Sequence, residues 1–223
     1  MAAGLRYVLT RRGPLSVPVD QCSGFARTEG AARPDVQIYC NPASYATLPN
    51  GKPQIDRDNG FLLCVQPSRP TSRGEITLRS ANPADAPLIQ PNSLATEEDR
   101  ATAIRASRVL QQLAATPAIA AVTRARRDPD IAGMDDAALL ENFRARAGTV
   151  FHASCTCRMG TDNTNSVLDA RLRVHGLGGL RVVDASAFPN ITSGNTNAPT
   201  MMLAARAAEM VLEDTETAAL AAE

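Results

Sequence analysis

The order of the chain's short apolar segments constrains its fold more than any single motif. Val36-Gln37-Ile38-Tyr39-Cys40 and Phe61-Leu62-Leu63-Cys64-Val65 read as strands, and Glu75-Ile76-Thr77-Leu78-Arg79 alternates polar with apolar residues, the pattern of a strand with one wet face. Glycine and proline signals at 13–18 and 43–54 mark turns, and the proline-rich stretch 81–95 reads as loop. Strands and helices then mix without a clean βαβ alternation and without an internal repeat, so the expected class is α+β.

The clearest helix start is Thr96, a hydroxyl cap followed by Glu97, Glu98 and Asp99. The helix should run to about Ala115 with Ile104, Val109, Leu110 and Leu113 as its apolar stripe, and end before Pro117. A second, shorter helix is expected over Asp135–Ala147, a loop over 160–170, a short buried strand at Leu180-Arg181-Val182-Val183, and a last helix from Pro199 to about Leu212. Residues 213–223 read as a frayed tail.

Composition narrows the function classes. The 223 residues are 44% hydrophobic and 21% charged, which excludes wholesale disorder and allows one large or two small domains. Equal numbers of acidic and basic side chains, 23 each, argue against nucleic acid or an anionic membrane surface as partner. No apolar run approaches the roughly 18 residues of a transmembrane segment. The opening residues carry Arg6, Arg11 and Arg12 and no acid, loosely like a transit peptide, but lack the apolar core of a secretory signal. Five cysteines, three of them scattered singly, do not suggest a secreted disulfide framework, so a reducing, cytoplasmic compartment is expected.

Chemistry-bearing residues concentrate late in the chain. His152, Cys155 and Cys157 lie within six residues, yet C-x-C is too close for a zinc knuckle and no second Cys/His pair lies nearby, so no metal is expected. His175 sits in a glycine-rich turn and reads as structural. No G-x-G-x-x-G spacing occurs anywhere. From Val182 the chain reads as a strand ending at Asp184, a polar turn, and a helix with Pro199 in its first turn. The N–H groups of such a helix start suit an anion or an anionic ring.

These segments carry a resemblance. Phe151-His152-Ala153-Ser154-Cys155-Thr156-Cys157-Arg158-Met159-Gly160 is similar to the H-P-x-G-T-C-x-M-G segment of glucose–methanol–choline (GMC) oxidoreductases, with Ala153 in place of Pro and Cys155 in place of Gly. Leu172-Arg173-Val174-His175-Gly176 through Val182-Val183-Asp184-Ala185-Ser186 resembles the family's L-R-V-x-G…L-R-V-x-D-A-S. Gly194-Asn195-Thr196-Asn197-Ala198-Pro199-Thr200 resembles its G-N-x-N-x-P-T helix entry, and Arg69-Pro70-Thr71-Ser72-Arg73-Gly74 its R-P-x-S-R-G.

The resemblance implies oxidation of a small-molecule alcohol, with hydride passing to FAD. It implies His152 as the base for the hydroxyl proton and Asn197 as a second active-site residue that orients the substrate oxygen. It implies cofactor contacts at Asp184, Ala185, Asn197, Pro199 and Thr200, the helix start facing the flavin. It also implies a mostly antiparallel substrate-domain sheet covered by helices over 1–170, its N-terminal part incomplete. A segment at 171–212 would return to an FAD-binding Rossmann domain that is absent from this sequence and supplied by another chain, or missing.

Overall fold

The computed structural model describes residues 2–16, 22–47, 52–126 and 130–220. The class is α+β, as expected, but the strands form three small antiparallel sheets instead of one. Two compact units emerge, Met1–Pro67 with Ala101–Ala145, and Ser68–Arg100 with Arg146–Glu223.

The first unit opens with a helix that the sequence reading missed, α1 (Ala2–Thr10), closed by Arg11 in the left-handed region at φ 54°. Its sheet has the order β1-β2-β5, with β1 Cys22–Ala26, β2 Val36–Asn41 and β5 Leu62–Pro67. Asp35 fixes the β1–β2 connection: its carboxylate accepts from Thr28 N (2.8 Å) and Thr28 Oγ1 (2.6 Å), while its own N–H donates to Ala26 O. The stretch read as loop at 43–54 instead pairs β3 (Tyr45–Thr47) with β4 (Pro53–Ile55). Residues 101–114 of α2 (Glu97–Ala114) belong to this unit, as do α3 (Pro117–Val122) and all but the last residue of α4 (Asp136–Arg146). Pro117 does more than stop α2. A residue without an N–H cannot continue a helix but suits the first position of the next, and α3 begins there. Arg108 joins α2 to α4 through Asp136 at 2.6 Å.

In the second unit, β6 (Glu75–Thr77) pairs with β7 (Leu88–Gln90), which falls inside the stretch read as loop. The expected buried face of β6 does not exist: both strands are exposed, and Leu78 beside them is 85% exposed. Gly74 precedes β6 because the strands leave no room there. A Cβ at that position would lie 2.3 Å from Gln90 O and 2.7 Å from Pro91 O.

The unit's core is Leu168, Leu172, Ala187 and Ala207, with Cys157, Met159, Val174, Val182 and Leu203 packed against it. The expected strand at 180–183 reduces to one isolated bridge, Arg173↔Arg181, flanked by bonds from Val174 N to Leu180 O and Val182 N to Leu172 O. Val182 turns inward while Leu180 is half exposed, so the segment is a pinned loop and not a buried strand.

The last helix, α5 (Asn197–Leu220), runs past the expected end near Leu212, and only residues 221–223 of the expected tail lie outside the described residues. Charge pairs hold the extra turns: Arg171 meets Glu213 (3.0 Å) and Asp214 (2.7 Å), Arg181 also pairs with Asp214, and Arg206 bonds Glu209 and Glu213. No helix among the described residues is long and apolar enough to cross a membrane.

Candidate active site

The site is assembled from three segments of the second unit: 151–160, the 184–196 turn and the first turn of α5. Cys155 N, Cys157 N and Met159 N donate to the carbonyls of Ala185, Ser186 and Ala187 at 3.2, 3.0 and 2.9 Å. This short ladder lays the His152 segment along the 3₁₀ turn Ala185–Ala187. Asp184 caps that turn, its Oδ1 accepting from Ser186 N at 2.7 Å and Ser186 Oγ at 2.5 Å. Cys155, which stands where the resembled motif has Gly, has φ 72°, the region glycine enters at no steric cost. Cys157 turns into the core. Among the described residues no group of three or more His, Cys, Asp or Glu side chains is placed to hold a metal ion.

The turn 190–193 is held from upstream. Arg69 Nη1 donates to Ser193 Oγ (2.5 Å) and Arg73 Nη2 to Asn190 Oδ1 (3.2 Å). Between those arginines, Thr71 N and Oγ1 donate to Asp99 Oδ1 at 2.7 and 2.8 Å, and Ser72 N to Asp99 Oδ2 at 2.8 Å. Burial works against the Asp99 charge, but the bonds from Ser72 and Thr71 outweigh it and hold the carboxyl below its ordinary range.

His152 is half-buried and gripped at both ring nitrogens. Nδ1 lies 2.9 Å from Oγ1 of the buried Thr196, and Nε2 lies 3.0 Å from Asn195 Nδ2. An amide Nδ2 can only donate, so the Asn195 contact pairs with Nε2 as the acceptor and leaves Nδ1 facing the Thr196 hydroxyl. Sequence reasoning singled out neither Asn195 nor Thr196. Both stand in the quoted helix-entry motif, one and two residues ahead of Asn197. Asn197 itself is exposed at the first position of α5, and Ala198 beside it is exposed too. Thr200 is turned back onto the helix, its Oγ1 donating to Thr196 O at 2.7 Å. His175 serves a turn: its N–H donates to Val167 O, and Nε2 lies 3.2 Å from Ser166 Oγ.

The α5 start is open electrostatically as well as sterically. Its first turn carries no acid, whereas α2 begins with Glu97, Glu98 and Asp99. A helix start left with its partial positive charge fits an electron-rich ring edge.

Residues 70–204 match the C-terminal family model described as GMC oxidoreductase. The chain belongs to the GMC oxidoreductase family. FAD is the cofactor of that family. This GMC chain is 38% identical over 215 residues to alcohol dehydrogenase [acceptor] of Pseudomonas putida, covering 96% of itself and 38% of that protein. It is 37% identical over 211 residues to oxygen-dependent choline dehydrogenase of Vibrio vulnificus, covering 94% of itself and 37% of that protein. It therefore spans little more than a third of these curated relatives. Among solved structures it resembles pyridoxine 4-oxidase from Mesorbium loti at a TM-score of 0.73 and 28% identity, covering 86% of this chain and 37% of that one. Formate oxidase shares the fold, with a TM-score of 0.82 at 22% identity over 97% of this chain and 42% of that one.

Proposed function

We propose that this chain is the C-terminal, substrate-binding part of an FAD-dependent alcohol dehydrogenase or oxidase acting on a primary alcohol. The observation that carries the reading is His152, held at both ring nitrogens between Thr196 and Asn195 beside the α5 start. Bound FAD supplies the hydride acceptor. His152 takes the hydroxyl proton at Nε2 when the substrate hydroxyl displaces the exposed Asn195 amide from that nitrogen. Thr196 keeps the acceptor nitrogen turned outward and accepts the Nδ1–H bond, which strengthens as the ring becomes cationic. Asn197 orients the substrate oxygen as a donor that does not titrate.

The α5 start, at Asn197, Pro199 and Thr200, and the backbone at Asp184 and Ala185 are the cofactor's contacts in this reading. Residues 1–170 are the substrate-binding domain, and 171–212 return to an FAD-binding domain carried outside these residues or by another chain. The share of the relatives' length and the exposed Phe151, Leu78, Ile89, Met201 and Met202 support a covering neighbour. An odd number of cysteines, three of them scattered singly, supports a reducing, cytoplasmic setting.

The test is the flavin spectrum of this chain co-expressed with an FAD-binding domain of a relative. Retained flavin should bleach under anaerobic alcohol, and His152→Ala should slow the bleaching by roughly 10²–10⁴. Flavin that is retained but indifferent to a panel of alcohols would mark the chain as catalytically inert.

A further inference from the structure

Cys22 and Cys40 look unrelated in the sequence, yet the sheet makes them neighbours. In the antiparallel pairing of β1 with β2, Cys22 is the direct partner of Cys40. Directly opposed residues in such a ladder have Cα atoms about 4.5 or 5.5 Å apart, within the roughly 4.4–6.8 Å that a disulfide spans. Direct partners share a face of the sheet, and successive residues alternate faces. Cys40 is also opposite Leu63 on β5, whereas Cys64 is opposite Tyr39. Cys22 and Cys40 therefore share one face and Cys64 lies on the other, so register excludes the nearest rival thiol. Cys22 is exposed on the edge strand, and Cys40 is half-buried in the central one.

We propose that Cys22 and Cys40 form a peroxide-responsive thiol pair that closes to a cross-strand disulfide. The exposed Cys22 sulfur attacks one peroxide oxygen. The O–O bond breaks, the sulfur becomes a sulfenic acid, and the departing hydroxide takes the thiol proton to leave as water. The Cys40 sulfur then attacks the Cys22 sulfur. The S–O bond breaks, the S–S bond forms, and a second water carries off the Cys40 proton. The two thiols lose two electrons, and the peroxide gains them.

The order of attack follows from the surroundings. Burial, and then the neighbouring Cys22 charge, push the Cys40 thiol above its ordinary range, so the exposed Cys22 is the sulfur that meets peroxide first. The pair is independent of the alcohol chemistry proposed above. Closing it would staple the free edge strand β1 to β2.

Trypsin separates the thiols, with Cys22 in peptide 13–27, Cys40 in 28–57, Cys64 in 58–73, and Cys155 with Cys157 in 147–158. The whole chain, treated with hydrogen peroxide and alkylated, should lose two of its five titratable thiols. A non-reduced digest should join 13–27 to 28–57, and dithiothreitol should release them. Cys22→Ser and Cys40→Ser should each abolish the joined species, and Cys64→Ser should leave it intact. Five thiols surviving peroxide, loss confined to 147–158, or a joined species that includes 58–73 would overturn the proposal.

Discussion

Replacing Cys155 by glycine should stabilise this protein although it deletes a side chain. The residue is held at φ 72° by the ladder from 155, 157 and 159 to the 185–187 turn, and the core beneath fixes both strands of that ladder. An L-residue in the left-handed region carries roughly 1–2 kcal/mol of steric strain. Glycine removes it but loses roughly 0.5–1 kcal/mol more backbone freedom on folding. The lost side-chain contact is a 3.3 Å bond from the thiol to its neighbour Ser154 Oγ, weak for a sulfur donor. The net gain is about 0.75 kcal/mol, the midpoint of a range from about 0 to 1.5 kcal/mol. In a chain of this size about 1 kcal/mol moves Tm by roughly 2–4 °C, so thermal unfolding followed by circular dichroism should rise by about 1–4 °C. Cys155→Ala is the control, because it deletes the same thiol and keeps the Cβ that causes the strain. If alanine matched glycine, or glycine lowered Tm, the strain argument would be wrong.

Three further outcomes follow from other parts of the second unit. Gly74→Ala must force β6 from the Gln90 and Pro91 carbonyls and should cost roughly 1–3 kcal/mol, read from the urea midpoint. Asp99 titrates lower folded than unfolded, so its contribution is complete above the unfolded value of about 3.9 and is lost as pH falls through the folded one. Tm of the wild type should accordingly fall more steeply below about pH 4 than that of Asp99→Asn. Thr196→Val removes the hydroxyl partner of His152 Nδ1, and the Nδ1 shift of the imidazole in an NMR spectrum should move while Nε2, still beside Asn195, moves less.

Local signals told the truth where local physics decides. Thr96 caps α2 as its hydroxyl and the acids after it suggest, and Asp135 caps α4 through Ala138 N at 2.9 Å. Val36–Asn41 and Leu62–Pro67 are strands because their apolar runs lie in one sheet. The reading failed where partners are distant. Leu180–Val183 has a strand's composition but only one bridging residue opposite it. Tyr45–Thr47 and Leu88–Gln90 were hidden among prolines and turn residues that flank a hairpin as readily as a loop. Beyond Leu212 the helix depends on Arg171 and Arg181, more than thirty residues upstream of their Asp214 partner. At the site, the motif singles out His152 as a candidate. Its grip by Asn195 and Thr196 was not legible, because a bond across more than forty residues leaves no mark in either segment alone.

The capping of α2 has a consequence for how this family's sequences can drift. Asp99 sits where a capping carboxylate would fold back on its own helix, but it is given to Thr71 and Ser72 instead. In return Ser72 Oγ accepts the N–H groups of Ala95 and Thr96 at 2.9 and 3.3 Å. Each segment thus finishes the other's hydrogen bonding. A substitution at position 72 frays a helix that begins more than twenty residues later, and one at position 99 releases the loop whose flanking arginines hold the 190–193 turn. Homologues that change either position should therefore carry a matching change at the other.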